Sequence, residues 1–176
     1  PNDPNLVILA GSKIKSFRPF VPFDSILREF LIDLSSELIN RPESRTYPDI
    51  MAFAFWCRKA NINKIKKMFE DGLFRLGLGL AFHIAPSNVP VNFAFSFAFG
   101  LLSGNANIVR APSKSFPQVY VICEVIKSVL LYKKYAEINS MTAIVKYPQK
   151  DDITEYFSAN SNARLIWGGD ETIRNI

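Results

Sequence analysis

One histidine and two cysteines are the whole stock of imidazoles and thiols in these 176 residues. That scarcity excludes several chemistries. Cys57 and Cys123 cannot staple a small secreted fold, and they show no metal-ligand spacing, so no metal site is expected. Each lies in an apolar, helical-looking stretch and reads as a buried structural thiol, which suits a reducing, cytoplasmic setting. A Cys/His or Ser/His pair would have to use His83, which sits inside an apolar run and reads as a packed core residue rather than a general base. Charge is missing too: no acidic or basic side chain except His83 occurs from Leu76 to Leu102, long enough to raise a membrane span. Pro86 and Pro90, with Ser87 and Asn88 between them, argue against a span by dividing the run into a strand-length and a helix-length half. No signal peptide opens the chain, and Pro1 stands where an initiator methionine would, so a fragment is expected.

What is present describes a globular α/β chain. A hydrophobic fraction of 48% is enough for one core. The net charge of +5 comes from dispersed residues, with only short groups such as Lys64-Ile65-Lys66-Lys67 and Lys133-Lys134, so a small anionic ligand explains it better than nucleic acid. Residues 1–75 read as a mostly helical lead-in: an apolar run at Leu6-Val7-Ile8-Leu9, a helix over 24–39 with Asp24 as N-cap, then helices over 50–60 and 62–69 parted at Asn61. From residue 76 short apolar runs alternate with longer helical patterns. Strands are expected at 78–84, 107–110, 142–147 and 164–167, and helices at 89–103, 116–134 and 151–159. That alternation predicts a doubly wound, mostly parallel sheet.

Ligands of such sheets bind beyond the carboxyl ends of the strands, so the turns after the strands hold the candidate site. The first turn follows Ile84 and reads Ala85-Pro86-Ser87-Asn88-Val89-Pro90. Pro90 suits the first helical turn there, and Asn88 can cap the helix or offer its amide to a ligand. The second, Arg110-Ala111-Pro112-Ser113-Lys114, brings a guanidinium, a hydroxyl and an ammonium. The third, Gly168-Gly169-Asp170-Glu171, lets a ligand approach backbone N–H groups at a helix start. Each also has a plain structural reading, as helix cap, surface cation and simple turn. Gly77 and Gly79 do not complete the six-residue dinucleotide fingerprint.

The order and spacing of these turns resemble the aldehyde dehydrogenase superfamily. The motifs are Pro86-Ser87-Asn88-Val89-Pro90, Gly104-Asn105-Ala106-Asn107-Ile108-Val109-Arg110 and Trp167-Gly168-Gly169-Asp170-Glu171-Thr172-Ile173. With Phe82-His83-Ile84 and Leu101-Leu102-Ser103 added, residues 76–176 look like the luminescence-type fatty acyl-CoA reductases. The resemblance implies a Rossmann-like nucleotide-binding domain over 76–176 that stops before the catalytic domain, so this chain alone is expected to be inactive. It implies a long-chain fatty acyl-CoA substrate, NADPH with NAD as a possible substitute, and a full-length homo-oligomer. In such enzymes a cysteine thiolate attacks the acyl carbonyl and the resulting thioester is reduced to an aldehyde. The resemblance makes Asn88 the oxyanion donor, an interaction worth about 3–4 kcal/mol in comparable sites. It places the cofactor against Ile84, Ala85, Pro86, Ser87, Arg110, Ser113, Lys114, Gly168 and Gly169. Ser87 stands where the family often has an aromatic residue, and Ser113 where NAD-preferring members often have a carboxylate. Aldehyde oxidation and a non-catalytic nucleotide-binding or oligomerisation module are the rival readings.

Overall fold

A computed structural model describes residues 3–148 and 151–168. Its frame is a sheet in the order β1-β4-β3-β2-β5, built from β1 (Val7–Gly11), β2 (Leu80–Ile84), β3 (Ala106–Arg110), β4 (Thr142–Lys146) and β5 (Ala163–Ile166). The last four strands run parallel, and β1 lies antiparallel against β4. Parallel neighbours need long crossovers, which α4 (Asn92–Leu102), α5 (Pro117–Leu130) and α7 (Asp151–Ala159) supply.

Side chains alternate across each strand, so the sheet has two buried faces. Val109 and Ile144 point into the larger core, shared with α4, α5 and α1 (Ser25–Asn40). Phe82, Ile108, Ala143 and Val145 point the other way, against Ile153 and Phe157 of α7. Helices therefore cover both faces of a mostly parallel sheet, as the alternating pattern predicts, and the arrangement is consistent with the Rossmann-like, aldehyde-dehydrogenase type of fold that the resemblance implies.

The lead-in joins that frame. Asp24 caps α1, its carboxylate accepting from the Ile26 N–H at 3.1 Å, and Leu27, Phe30, Leu31, Leu34 and Leu38 form the buried stripe. The apolar run near the start becomes β1 at the sheet edge. The next two helices, α2 (Pro48–Trp56) and α3 (Lys59–Met68), part at Cys57 and Arg58 rather than at Asn61. Asn61 nevertheless serves that break from inside α3, its amide donating to the Trp56 carbonyl at 2.7 Å.

Two expected helices are shorter than their sequence pattern. α4 begins at Asn92 with Val91 as N-cap, and Asn88 does not cap it. Ser87 and Asn88 form a turn instead, and Val89, biased away from helical backbone because it precedes Pro90, is not helical. The segment expected as one helix over 116–134 is α5, a 3-10 turn at Lys133–Tyr135 and the short α6 (Ala136–Ser140). There Tyr135 is drawn into the core, its ring edge-on to Phe30 at 5.2 Å and its hydroxyl donating to Asp33 at 2.7 Å. The uncharged run after Leu76 divides into β2 and the largely buried α4, and no described helix is long and apolar enough to cross a membrane.

Candidate functional site

From β2 the chain winds outward through β3 to β4, then crosses back so that β5 pairs with β2 on its other side. The strand order thus reverses between β2 and β5. At such a switch point the crossovers leave to opposite faces and open a crevice at the carboxyl ends of the two strands, where ligands of this architecture bind. Ile84 is in register with Arg110 on one side and Ile166 on the other, and the Trp167 N–H donates to the Ile84 carbonyl at 3.0 Å. The turns after β2, β3 and β5 therefore share one edge of the sheet, with Ala85 to Asn88 and Gly168 flanking the crevice.

Individual residues take distinct places along that edge. Ile84 is buried, Ala85 and Pro86 are half-buried, and Ser87, Asn88 and Gly168 are exposed. Asn88 makes no side-chain hydrogen bond to another described residue. Ser113 and Lys114 are exposed beyond β3, and no bond joins either of them to Arg110 among the described residues. Arg110 is half-buried on the α7 face, its guanidinium carbon 4.4 Å from the centre of the Tyr147 ring. This contact fixes the guanidinium at the strand end rather than leaving it a free surface cation. Gly169 lies outside the described residues.

Alternation gives the edge a second cation on its other face. Lys146 ends β4 as Arg110 ends β3, but it points toward α5 and donates to the Tyr120 hydroxyl at 3.1 Å. Ser115 donates to the same oxygen at 3.3 Å, and the two donors hold the Tyr120 phenol below its usual range. Neither Lys146 nor Tyr120 is among the expected site residues, although a basic residue at the end of a predicted strand is the same signal that singles out Arg110.

His83 is fully buried and both of its ring nitrogens are bonded, Nδ1 to Ser96 Oγ at 2.8 Å and Nε2 to Asn107 Oδ1 at 3.0 Å. Burial pushes its pKa down to about 4, so it is neutral at pH 7 and is no general base for a ligand at the edge. Cys57 and Cys123 are buried as expected, and desolvation raises both thiols far above their ordinary range. Neither can serve as an accessible thiolate nucleophile. We expect iodoacetamide at pH 8 to leave both unlabelled in the folded chain and to modify both after denaturation. Rapid labelling of either in the native state would show that the core around it opens readily.

Gly77 and Gly79 lie at the opposite, amino end of β2. A Cβ on Gly79, which has φ +124, would stand 2.3 Å from Asn162 Oδ1, so this residue is kept small by the β5 approach and not by a ligand. Two clefts are also away from the carboxyl edge. One of about 590 Å³ lies between β1 and α7, and one of about 1030 Å³ lies beside residues 69–78 at the amino end of β5. Their size does not make them better candidates for a ligand of this sheet, because neither gathers the strand-end turns. Among the described residues, no group of histidine, cysteine and carboxylate side chains could hold a metal ion.

Among known families, residues 60–176 match the one described as acyl-CoA reductase (LuxC). Searches of curated proteins and of solved structures return no match.

Proposed function

This chain belongs to the acyl-CoA reductase (LuxC) family, and from that membership we propose that its carboxyl sheet edge is the cofactor-binding side of an enzyme reducing long-chain acyl-CoA to aldehyde with NADPH. The observation that carries the reading is the switch point between β2 and β5, with the Asn88 and Gly168 turns on its two sides. The bound dinucleotide supplies the hydride. Around it, the exposed Gly168 leaves the backbone free to approach a pyrophosphate, and Arg110, held by Tyr147, presents a cation at the neighbouring strand end. Asn88 donates its amide N–H to the oxygen of the reacting carbonyl as negative charge develops there. The thiolate this chemistry requires is neither Cys57 nor Cys123, and the chain by itself does not turn over acyl-CoA.

The turn after β3 sets the cofactor preference in this reading. A carboxylate at position 113 would repel a 2′-phosphate; Ser113 does not, and Lys114 and Arg110 bring positive charge to the same turn. Calorimetric titration of this chain should show adenosine 2′,5′-bisphosphate binding about tenfold more tightly than 5′-AMP, the scale of one charge-assisted hydrogen bond. Ser113→Glu should abolish the difference. Equal binding of the two nucleotides, or a preference that survives Ser113→Glu, would remove the adenosine end from this turn.

A further inference from the structure

A single hydrogen-bonded chain runs beneath the switch point. Trp167 Nε1–H donates to Ser96 Oγ at 2.9 Å, and Ser96 Oγ meets His83 Nδ1 at 2.8 Å. On the other side of the ring, His83 Nε2 meets Asn107 Oδ1 at 3.0 Å, while Asn107 Nδ2 donates to the Asn105 carbonyl at 2.6 Å. The directions are forced. An indole N–H can only donate, so Ser96 Oγ accepts from Trp167, and its own proton goes to His83 Nδ1, the one nitrogen left to accept on a neutral ring protonated at Nε2. Asn107 spends its NH₂ group on Asn105, so its Oδ1 accepts, and His83 must carry its proton on Nε2. Every link then has one donor and one acceptor, with the imidazole neutral in the middle.

The chain ties four elements together: β3 through Asn107, β2 through His83, α4 through Ser96, and the residue just after β5 through Trp167. Ser96, His83 and Asn107 are fully buried, whereas Trp167 is 38% exposed at the crevice. Only this last link reaches the edge. It lies one residue before Gly168, and the Trp167 backbone N–H is already tied to Ile84. An indole held at its nitrogen adds a second, side-chain fixing point to the same residue, which sets the rotamer and the path the backbone takes into the turn.

We propose that His83 is a positioning residue: through Ser96 it locks the Trp167 indole, and so fixes the Gly168 turn on the β5 side of the switch-point crevice. This holds whatever ligand the crevice takes and does not rest on the nucleotide reading. A merely packed histidine would fill volume without orienting Ser96. The distinction is testable, because a leucine can fill the same space, whereas glutamine also retains one donor and one acceptor.

The readout is the ¹H–¹⁵N spectrum of the 176-residue chain in a Trp56→Phe background, where Trp167 gives the one indole N–H signal. Trp56 packs edge-on against the rings of Phe95 and Phe99, so phenylalanine is the conservative choice there. Ser96→Ala should speed exchange of the indole proton by on the order of tenfold, as loss of one hydrogen bond does, and should shift the Gly168 amide. His83→Leu should do the same. His83→Gln should restore slow exchange, its carbonyl accepting from Ser96 and its amide donating to Asn107. Unchanged indole exchange in Ser96→Ala overturns the lock, and it decides the matter even if His83→Leu fails to fold. An indole that loosens while the Gly168 amide stays in place overturns the positioning of the turn.

Discussion

Acidifying this chain from pH 7 to pH 5 should lower its unfolding free energy by about 2 kcal/mol, and to pH 4 by about 3 kcal/mol, through His83 alone. The native imidazole is held neutral, with its pKa pushed down from 6.5 to about 4 by burial, only partly opposed by the bond to Asn107. Below pH 6.5 the unfolded chain takes up a proton that the folded chain refuses, so stability falls with pH. Below about pH 4 both states are protonated and the contribution levels out. The window from 6.5 to 5 isolates this group, since the sequence has no other histidine. Carboxylates ordinarily titrate lower. Lys66 beside Glu70 and Arg75 beside Asp71 hold those two further from the window. Urea denaturation at pH 7, 6 and 5 measures the slope, and His83→Gln should abolish it. A slope that persists in the variant would mean that other groups destabilise the fold in acid, and the neutral histidine would lose its role.

The contrast between strand ends and loop interiors explains how much of this structure was legible in the sequence. Apolar runs bounded by glycine, proline and asparagine place β2 through β5 to within two residues at each end; β2, β3 and β4 are the inner strands, largely buried on both faces, and such strands read as near-continuous apolar runs. The long helices were equally readable from Asp24 as a cap and from the apolar stripe of α1. What failed was decided by contacts far away in the chain. The early end of α5 depends on Tyr135 meeting Phe30 and Asp33, over a hundred positions earlier. The short apolar run that became β1 fits a strand or a helix equally well until its pairing with β4 is known.

The candidate site was legible to the same depth. Parallel strands must place their following turns on one edge, so the sequence alone groups Asn88, Arg110 and Gly168. Which face each side chain takes is a matter of register, and a one-residue difference sends Arg110 to Tyr147 and Lys146 to Tyr120. The bonded partners of His83 were hidden for another reason. Ser96 and Asn107 are ordinary helix and strand residues in the sequence, and only the packing of α4 over β2 and β3 makes them its ligands.

That packing depends on a glycine, and Gly100→Ala should destabilise the chain by about 2–4 kcal/mol although it improves the local helix. In an exposed helix the change gains about 1 kcal/mol. Gly100, however, lies in α4 where the helix crosses the buried chain, and an added Cβ would stand 2.1 Å from Asn107 Oδ1 and 2.6 Å and 2.7 Å from His83 Cε1 and Nε2. Those atoms have nowhere to go. Asn107 is tied to the Asn105 carbonyl and His83 to Ser96, so the added Cβ both strains the packing of α4 on the sheet and breaks the His83–Asn107 bond. Overpacking of this kind costs about 1–3 kcal/mol. Leaving a buried polar pair unsatisfied costs about as much again, which outweighs the helical gain. Equilibrium denaturation of Gly100→Ala gives the sign directly, and a neutral or stabilised variant would show that the contact is slack. Asn107→Ala supplies the control, since it removes the nearest obstructing atom. The cost of Gly100→Ala should shrink by more than about 1 kcal/mol in that background, because residues sharing one network do not contribute additively.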